Sequence, residues 1–239
     1  MYYDPAYLIF MIPAFILMSL ASWYVQSSYR KWSQVPARSG LTGAQAAQRL
    51  LSNVGYSPAE GANLREVRIM SIGGNLSDHY DPRDKTLRLS QGVANSASVA
   101  AVAIAAHELG HAVQDAEGYG PMRVRAALVP VVTIGSNLGW ILIIAGLVLQ
   151  WVDLAWLGVL VFSGGALFAL ATLPVELNAS NRAREMLSQS GIIQGEQEAS
   201  GVNTVLTAAA LTYVAGLATA VLQLLYYVFL VGGMGRRRD

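Results

Sequence analysis

The chain contains no cysteine. Disulfides and thiolate metal sites are therefore excluded, and any metal must be held by histidine, aspartate or glutamate. Histidine is almost as scarce, with only His79, His107 and His111. Charge is scarce too: 13% of residues are charged, against about 25% in soluble domains. With 54% hydrophobic residues, much of the chain is expected in lipid. The net charge of +1 and the lack of a basic patch with interleaved aromatics exclude nucleic acid as a partner. No internal repeat or low-complexity tract is present.

What the chain does have is long apolar runs. Tyr7 to Val25 carries no charge and is long enough to span a bilayer. It starts after Asp4 and ends before Arg30 and Lys31, which suits a retained anchor better than a signal peptide. Trp23, Tyr24 and Trp32 fit an interfacial belt. Leu128 to Trp151 and Leu154 to Leu173 are two further uncharged runs, separated only by Val152 and Asp153, and read as a tight transmembrane hairpin. Pro174 breaks the second run, and a polar helix is expected from Glu176 to Ser190. Val202 to Val231 exceeds one simple span, so its first half is expected outside the membrane and its second half within it.

The region between the first and second runs holds most of the charge. Leu41 to Val54 reads as an amphipathic helix, with Thr42 as N-cap and Gly55 as stop. Glu66 to Ile72 and Lys85 to Ser90 alternate polar and apolar residues, as the strands of a small antiparallel sheet do. Ser98 to Ala116 follows as a helix rich in alanine and valine, ended by Gly118 to Pro121.

That helix contains His107, Glu108 and His111 in the pattern H-E-x-x-H. Helical residues four apart share a face, so both imidazoles can reach one ion. Glu108 points partly sideways, where it can hold a metal-bound water without ligating the metal. Zinc lowers the pKa of that water towards about 7, and the carboxylate takes its proton and later returns it to the leaving amine. Gly110 costs the helix about 1 kcal/mol relative to alanine, which suggests close packing or room for a ligand.

A catalytic zinc usually has three protein ligands. A third histidine in the pattern H-x-x-G-x-x-H is ruled out, because Gln114 and Glu117 stand at those positions. The remaining candidates are Glu176, Glu185, Glu196 and Glu198. Glu176 is the best placed, because a transmembrane hairpin returns the chain to the side it left, while Glu185 faces away from it. The competing reading is a glutamate favoured by the dipole of a helix first turn. Asn178, Ser180 and Arg182 are candidate partners behind the ligands. His79 could steady an oxyanion or be an ordinary loop residue, and no role is assigned to it. The strand Lys85 to Ser90 is a candidate edge to which an extended substrate adds.

The runs A-H-E-L-G-H-A-V-Q, L-S-D-H-Y-D-P-R-x-K-x-L-R-L-S and L-P-V-E-L-N-A-S-N-R-A resemble the YugP-type membrane zinc metallopeptidases, over nearly the whole chain. That family is similar in turn to the HtpX-like membrane gluzincins, which place the third ligand in E-x-x-A-D. Glu176 and Ala179 match this pattern, but Ser180 stands where the aspartate would be. The resemblance implies zinc and peptide hydrolysis, and no particular substrate.

Together these readings predict a mostly α, multi-span membrane protein with a gluzincin-like catalytic domain: the H-E-x-x-H helix plus a small antiparallel sheet. The expected divisions are a 1–27 anchor, a 28–127 catalytic domain, a 128–174 transmembrane hairpin, a 175–201 helix with the third ligand, and a 202–239 C-terminal helix with a basic tail. The expected function is a membrane-embedded zinc endopeptidase, with Glu108 as base and one Zn2+ on His107, His111 and Glu176. Its partners would be the lipid bilayer and a protein or peptide substrate, with oligomeric state open. Arg30, Lys31, Arg38, Arg123, Arg125, Arg182 and Arg184 flank the spans on the catalytic side, which places it in the cytoplasm of a bacterial-type inner membrane, against the objection of the Arg236 to Arg238 tail. A catalytically silent zinc scaffold is the alternative, although it would not need Glu108. A transporter would place charges inside the spans, and the hairpin runs hold only Asp153, at their turn.

Overall fold

The computed structural model describes residues 5–52 and 64–235. Its helices are α1 (Pro5–Ser33), α2 (Gly43–Ser52), α3 (Gln91–Ala94), α4 (Val99–Ala116), α5 (Gly120–Val148), α6 (Val152–Phe162), α7 (Gly164–Gln189) and α8 (Gly195–Gly235). Three short strands, β1 (Arg68–Ile72), β2 (His79–Asp81) and β3 (Thr86–Ser90), form one sheet. By its contacts the chain divides into a unit of residues 23–122 and 175–211 and a unit of residues 1–22, 123–174 and 212–239.

Four helical stretches, each contributing residues to the second of these units, are long and apolar. Pro5–Ser33, Gly120–Val148, Val152–Gln189 and Gly195–Met234 are each long and apolar enough to cross a membrane. Glycine lets α5 and α6 meet at backbone distance. A Cβ on Gly146 would lie 2.4 Å from Ala155 N, and one on Gly158 would lie 2.5 Å from Ile143 N. The turn between them comprises Leu149, Gln150 and Trp151, with Gln150 at φ 51° and Trp151 N–H donating to Gly146 O at 2.9 Å. This is a Schellman-type helix end. Val152 and Asp153, expected to form the turn, instead open α6, where Asp153 favours the helix dipole. Pro174 does not break the helix but lies inside α7. A proline removes one backbone bond, and long apolar helices tolerate that where neighbouring groups re-satisfy it.

In the unit of residues 23–122 and 175–211, the core gathers around α4, which is buried along most of its length. Its alanines and valines present little bulk, so α2, the sheet, α7 and the start of α8 all approach it closely. Ser98 caps α4 by accepting from Ala101 N–H at 3.3 Å. Thr42 and Gln45 form a reciprocal capping pair at the start of α2. The expected end of that helix at Val54 and Gly55 lies outside the described residues. Trp32 is a core residue rather than part of an interfacial belt: it is 5% exposed, and a Cβ on Gly201 would lie 2.5 Å from its ring.

The sheet corrects two expectations. It is mixed rather than antiparallel: β1 pairs parallel with β3, and β2 pairs antiparallel with β3. After β1 the chain passes through a loop too long for a tight hairpin, forms the three-residue β2, then turns back into β3. A parallel pair needs such a crossover. The order β1-β3-β2 makes β3 the central strand, so Lys85 to Ser90 is not a free edge. Leu87 and Leu89 share one face of β3 and are fully buried there.

Candidate metal centre

α4 presents His107, Glu108 and His111, all buried, and α7 presents Glu176, which is 2% exposed. The two helices touch at Gly110, where a Cβ would lie 2.6 Å from Ala179 O. The glycine therefore serves close packing. Glu176 stands well inside α7, so a first-turn dipole does not account for it.

His107 Nε2 and His111 Nε2 lie 3.3 and 3.4 Å from Glu176 Oε2. The two rings stand edge to face, 4.9 Å apart. One ligand atom from each residue lies within 4.8 Å of the others. Two ligands held about 2.0–2.1 Å from one tetrahedral ion lie about 3.3–3.4 Å apart. The spacing thus suits a small cation bound by two imidazoles and a carboxylate.

The groups behind the rings decide which nitrogen faces the centre. Gln114 Nε2 donates to Val175 O at 2.8 Å, and a backbone carbonyl can only accept, which fixes the orientation of the amide. Gln114 Oε1 then faces His111 Nδ1 at 2.9 Å. An amide oxygen also only accepts, so Nδ1 carries the proton and neutral His111 presents its lone pair at Nε2. His107 Nδ1 lies 3.2 Å from Ser180 Oγ. A lone pair facing a carboxylate this closely needs a cation or a proton between them. Burial lowers the pKa of His111, but the Glu176 hydrogen bond and the Glu108 and Glu176 charges outweigh it and hold it above its ordinary value. Positive charge is favoured at this point.

Gln114 also donates to Asn178 Oδ1 at 2.9 Å, and Arg182 Nε donates to the same oxygen at 2.7 Å. Arg182 in turn pairs with Glu117 at 2.6 Å. Asn178, Ser180 and Arg182 thus all stand behind the histidines, Arg182 through others. Glu108 is outside the triad of ligand atoms; its Oε2 accepts from Tyr80 N–H at 3.1 Å. His79 is exposed and bonds Ser77 O at 2.8 Å. Side chains alternate along a strand, so it points to the opposite face of β2 from buried Tyr80.

The other glutamate candidates do not join the cluster. Glu185 and Glu196 are exposed. Glu198 is buried but accepts from the Arg38 and Gln194 backbone N–H groups at 2.6 and 2.7 Å, which is a structural task. Sequence reasoning missed Gln114 and Tyr80. Gln114 had a signal: it lies three residues after His111, on the same helix face. Tyr80 had none, because its contribution to Glu108 is a backbone amide.

A family model described as putative neutral zinc metallopeptidase matches residues 7–232. The chain belongs to this family. It is also 40% identical over 219 residues to the Bacillus subtilis (strain 168) protein called putative membrane protease YugP, a match covering 92% of this chain and 93% of the relative. No solved structure matches the chain. The resemblance read from the three motif runs is thus shown at family level. Four helices able to cross a membrane and a relative called a membrane protease fit an integral membrane protein. The family description names zinc, and the donor set of two imidazole nitrogens and a carboxylate oxygen suits that ion.

Proposed function

We propose that this protein is a membrane zinc endopeptidase of the gluzincin type that cleaves membrane or membrane-proximal proteins. The observation that carries the reading is the convergence of His107 Nε2, His111 Nε2 and Glu176 Oε2 at 3.3–3.4 Å, beside a buried glutamate that takes no part in it. Those three residues would hold one zinc per chain. When bound, zinc supplies Lewis acidity, which polarises a peptide carbonyl and makes water acidic enough to lose a proton near neutral pH. The chain's own residues do the rest. Gln114 and Ser180 keep each Nδ1 occupied, so each Nε2 faces inward. Glu108 takes the proton of the attacking water and returns it to the leaving amine. The basic residues flanking the spans support a catalytic unit on the cytoplasmic side.

Metal analysis of the purified protein is expected to find about one zinc per chain, lost in His107→Ala and Glu176→Ala. Full occupancy in Glu176→Ala would refute the third ligand. Proteomes of cells carrying wild type or Glu108→Gln are expected to differ in specific fragments. An unchanged fragment pattern would favour a zinc-binding scaffold that does not turn over.

A further inference from the structure

Tyr80 is the residue of β2 that meets α4 twice. Its backbone N–H donates to Glu108 Oε2 at 3.1 Å, and its hydroxyl donates to Asp115 Oδ2 at 2.9 Å. Glu108 and Asp115 stand two turns apart on one face of α4. Tyr80 is paired in register with Leu87 at the sheet edge, and its N–H is directed to Glu108. The side chain is buried, which leaves its hydroxyl few alternatives to Asp115.

We propose that Tyr80 is a positioning residue, clasped to α4 by Asp115 so that its backbone N–H holds Glu108 in the orientation its chemistry requires. A carboxylate on a helix has several rotamers, and only those that aim one oxygen into the site are useful. The Tyr80 N–H engages Oε2 and leaves Oε1 for the reacting water. The donor is backbone, so only proline, which would also remove the anchoring hydroxyl, deletes it directly, and its place depends on the anchor at the far end of the same residue. Without the Asp115 bond, β2 keeps the amide and the packing of the Tyr80 ring but loses its side-chain hydrogen bond to α4. β2 is short and is paired on one side only, to β3, so this bond is its side-chain tether to the helix.

The inference rests on Glu108 acting as the base in the proposed function. The experiment therefore includes a measurement independent of turnover. In full-length protein labelled with nitrogen-15 tyrosine, the Tyr80 amide is identified by its loss in Tyr80→Phe. Its hydrogen exchange is expected to be slow in wild type and at least about tenfold faster in Asp115→Ala and in Glu108→Ala. Unchanged exchange in Asp115→Ala would overturn the clasp. With fluorescein-labelled casein as probe, Tyr80→Phe and Asp115→Ala are each expected to lower kcat by about tenfold with KM and zinc content unchanged. Combining them should add nothing, since they break one bond. Asp115→Asn keeps an acceptor oxygen and is expected to restore kcat relative to Asp115→Ala. A rise in KM, a loss of zinc, or an Asp115→Asn variant as slow as Asp115→Ala would each overturn the role. If wild type leaves casein intact while the amide follows the expected pattern, the clasp stands and the peptidase reading fails.

Discussion

Two residues on α4 do different work and should fail differently. Glu108→Gln keeps the size of the side chain but cannot take a proton. It is expected to lose activity by about 10² to 10⁴-fold while keeping zinc, measured by casein cleavage and metal analysis side by side. Gln114→Ala removes the acceptor behind His111 and the donor to Val175 and Asn178 together. Zinc affinity is expected to fall about 10 to 100-fold, read by competition with a chelating dye. An affinity within twofold of wild type would show that His111 orients without it. His107, Glu108 and His111 were legible because their chemistry lies in their spacing along one helix. Glu176 was legible as a candidate because a hairpin of two apolar runs returns the chain to the side it left, although it stands well inside α7 and not at a helix start. Ser180 takes the position behind His107 where the related pattern has aspartate, so this imidazole is met by a neutral hydroxyl.

At the scale of elements, the site depends on how closely α4 and α7 pack. Gly110→Ala would place a methyl group 2.6 Å from Ala179 O, against backbone that cannot move aside cheaply. The helix-propensity gain of about 1 kcal/mol is outweighed by overpacking of about 1–3 kcal/mol. A lower thermal midpoint together with reduced zinc occupancy is the expected outcome. The sheet carries its own pH dependence. Arg83, with Arg88, holds the Asp81 carboxyl well below the usual carboxylate range. A carboxyl with a depressed folded-state pKa contributes stability above about pH 4, and that stability is lost as pH falls below it. The thermal midpoint is therefore expected to drop in acid, and less steeply in Asp81→Asn. The existence of β1 and β3 was legible from alternation, but β2, read as loop around His79, and the strand order were not. Alternation tells which residues share a face, whereas pairing direction depends on where the intervening loop and β2 carry the chain.

For the whole molecule, the absence of cysteine makes topology accessible to experiment. A single cysteine replacing exposed Gln150, in the α5–α6 turn, is expected to react with a membrane-impermeant maleimide in intact cells. One replacing exposed Ser188 is expected to react only after lysis. The reverse pattern would place the metal centre outside. The long apolar runs determined by themselves that the chain has helices able to cross a membrane, because that needs only uninterrupted apolar length. The H-E-x-x-H spacing by itself determined two metal-ligand candidates and a candidate base, because helix periodicity is local. Only the tertiary structure decided that Glu176 and not Glu198 meets the histidines, that Val175 O orients the Gln114 amide, that Ser180 stands behind His107, and that a Tyr80 amide reaches Glu108. These are contacts between residues far apart in the chain, and they depend on how α4, α7 and the sheet pack, which no local pattern encodes.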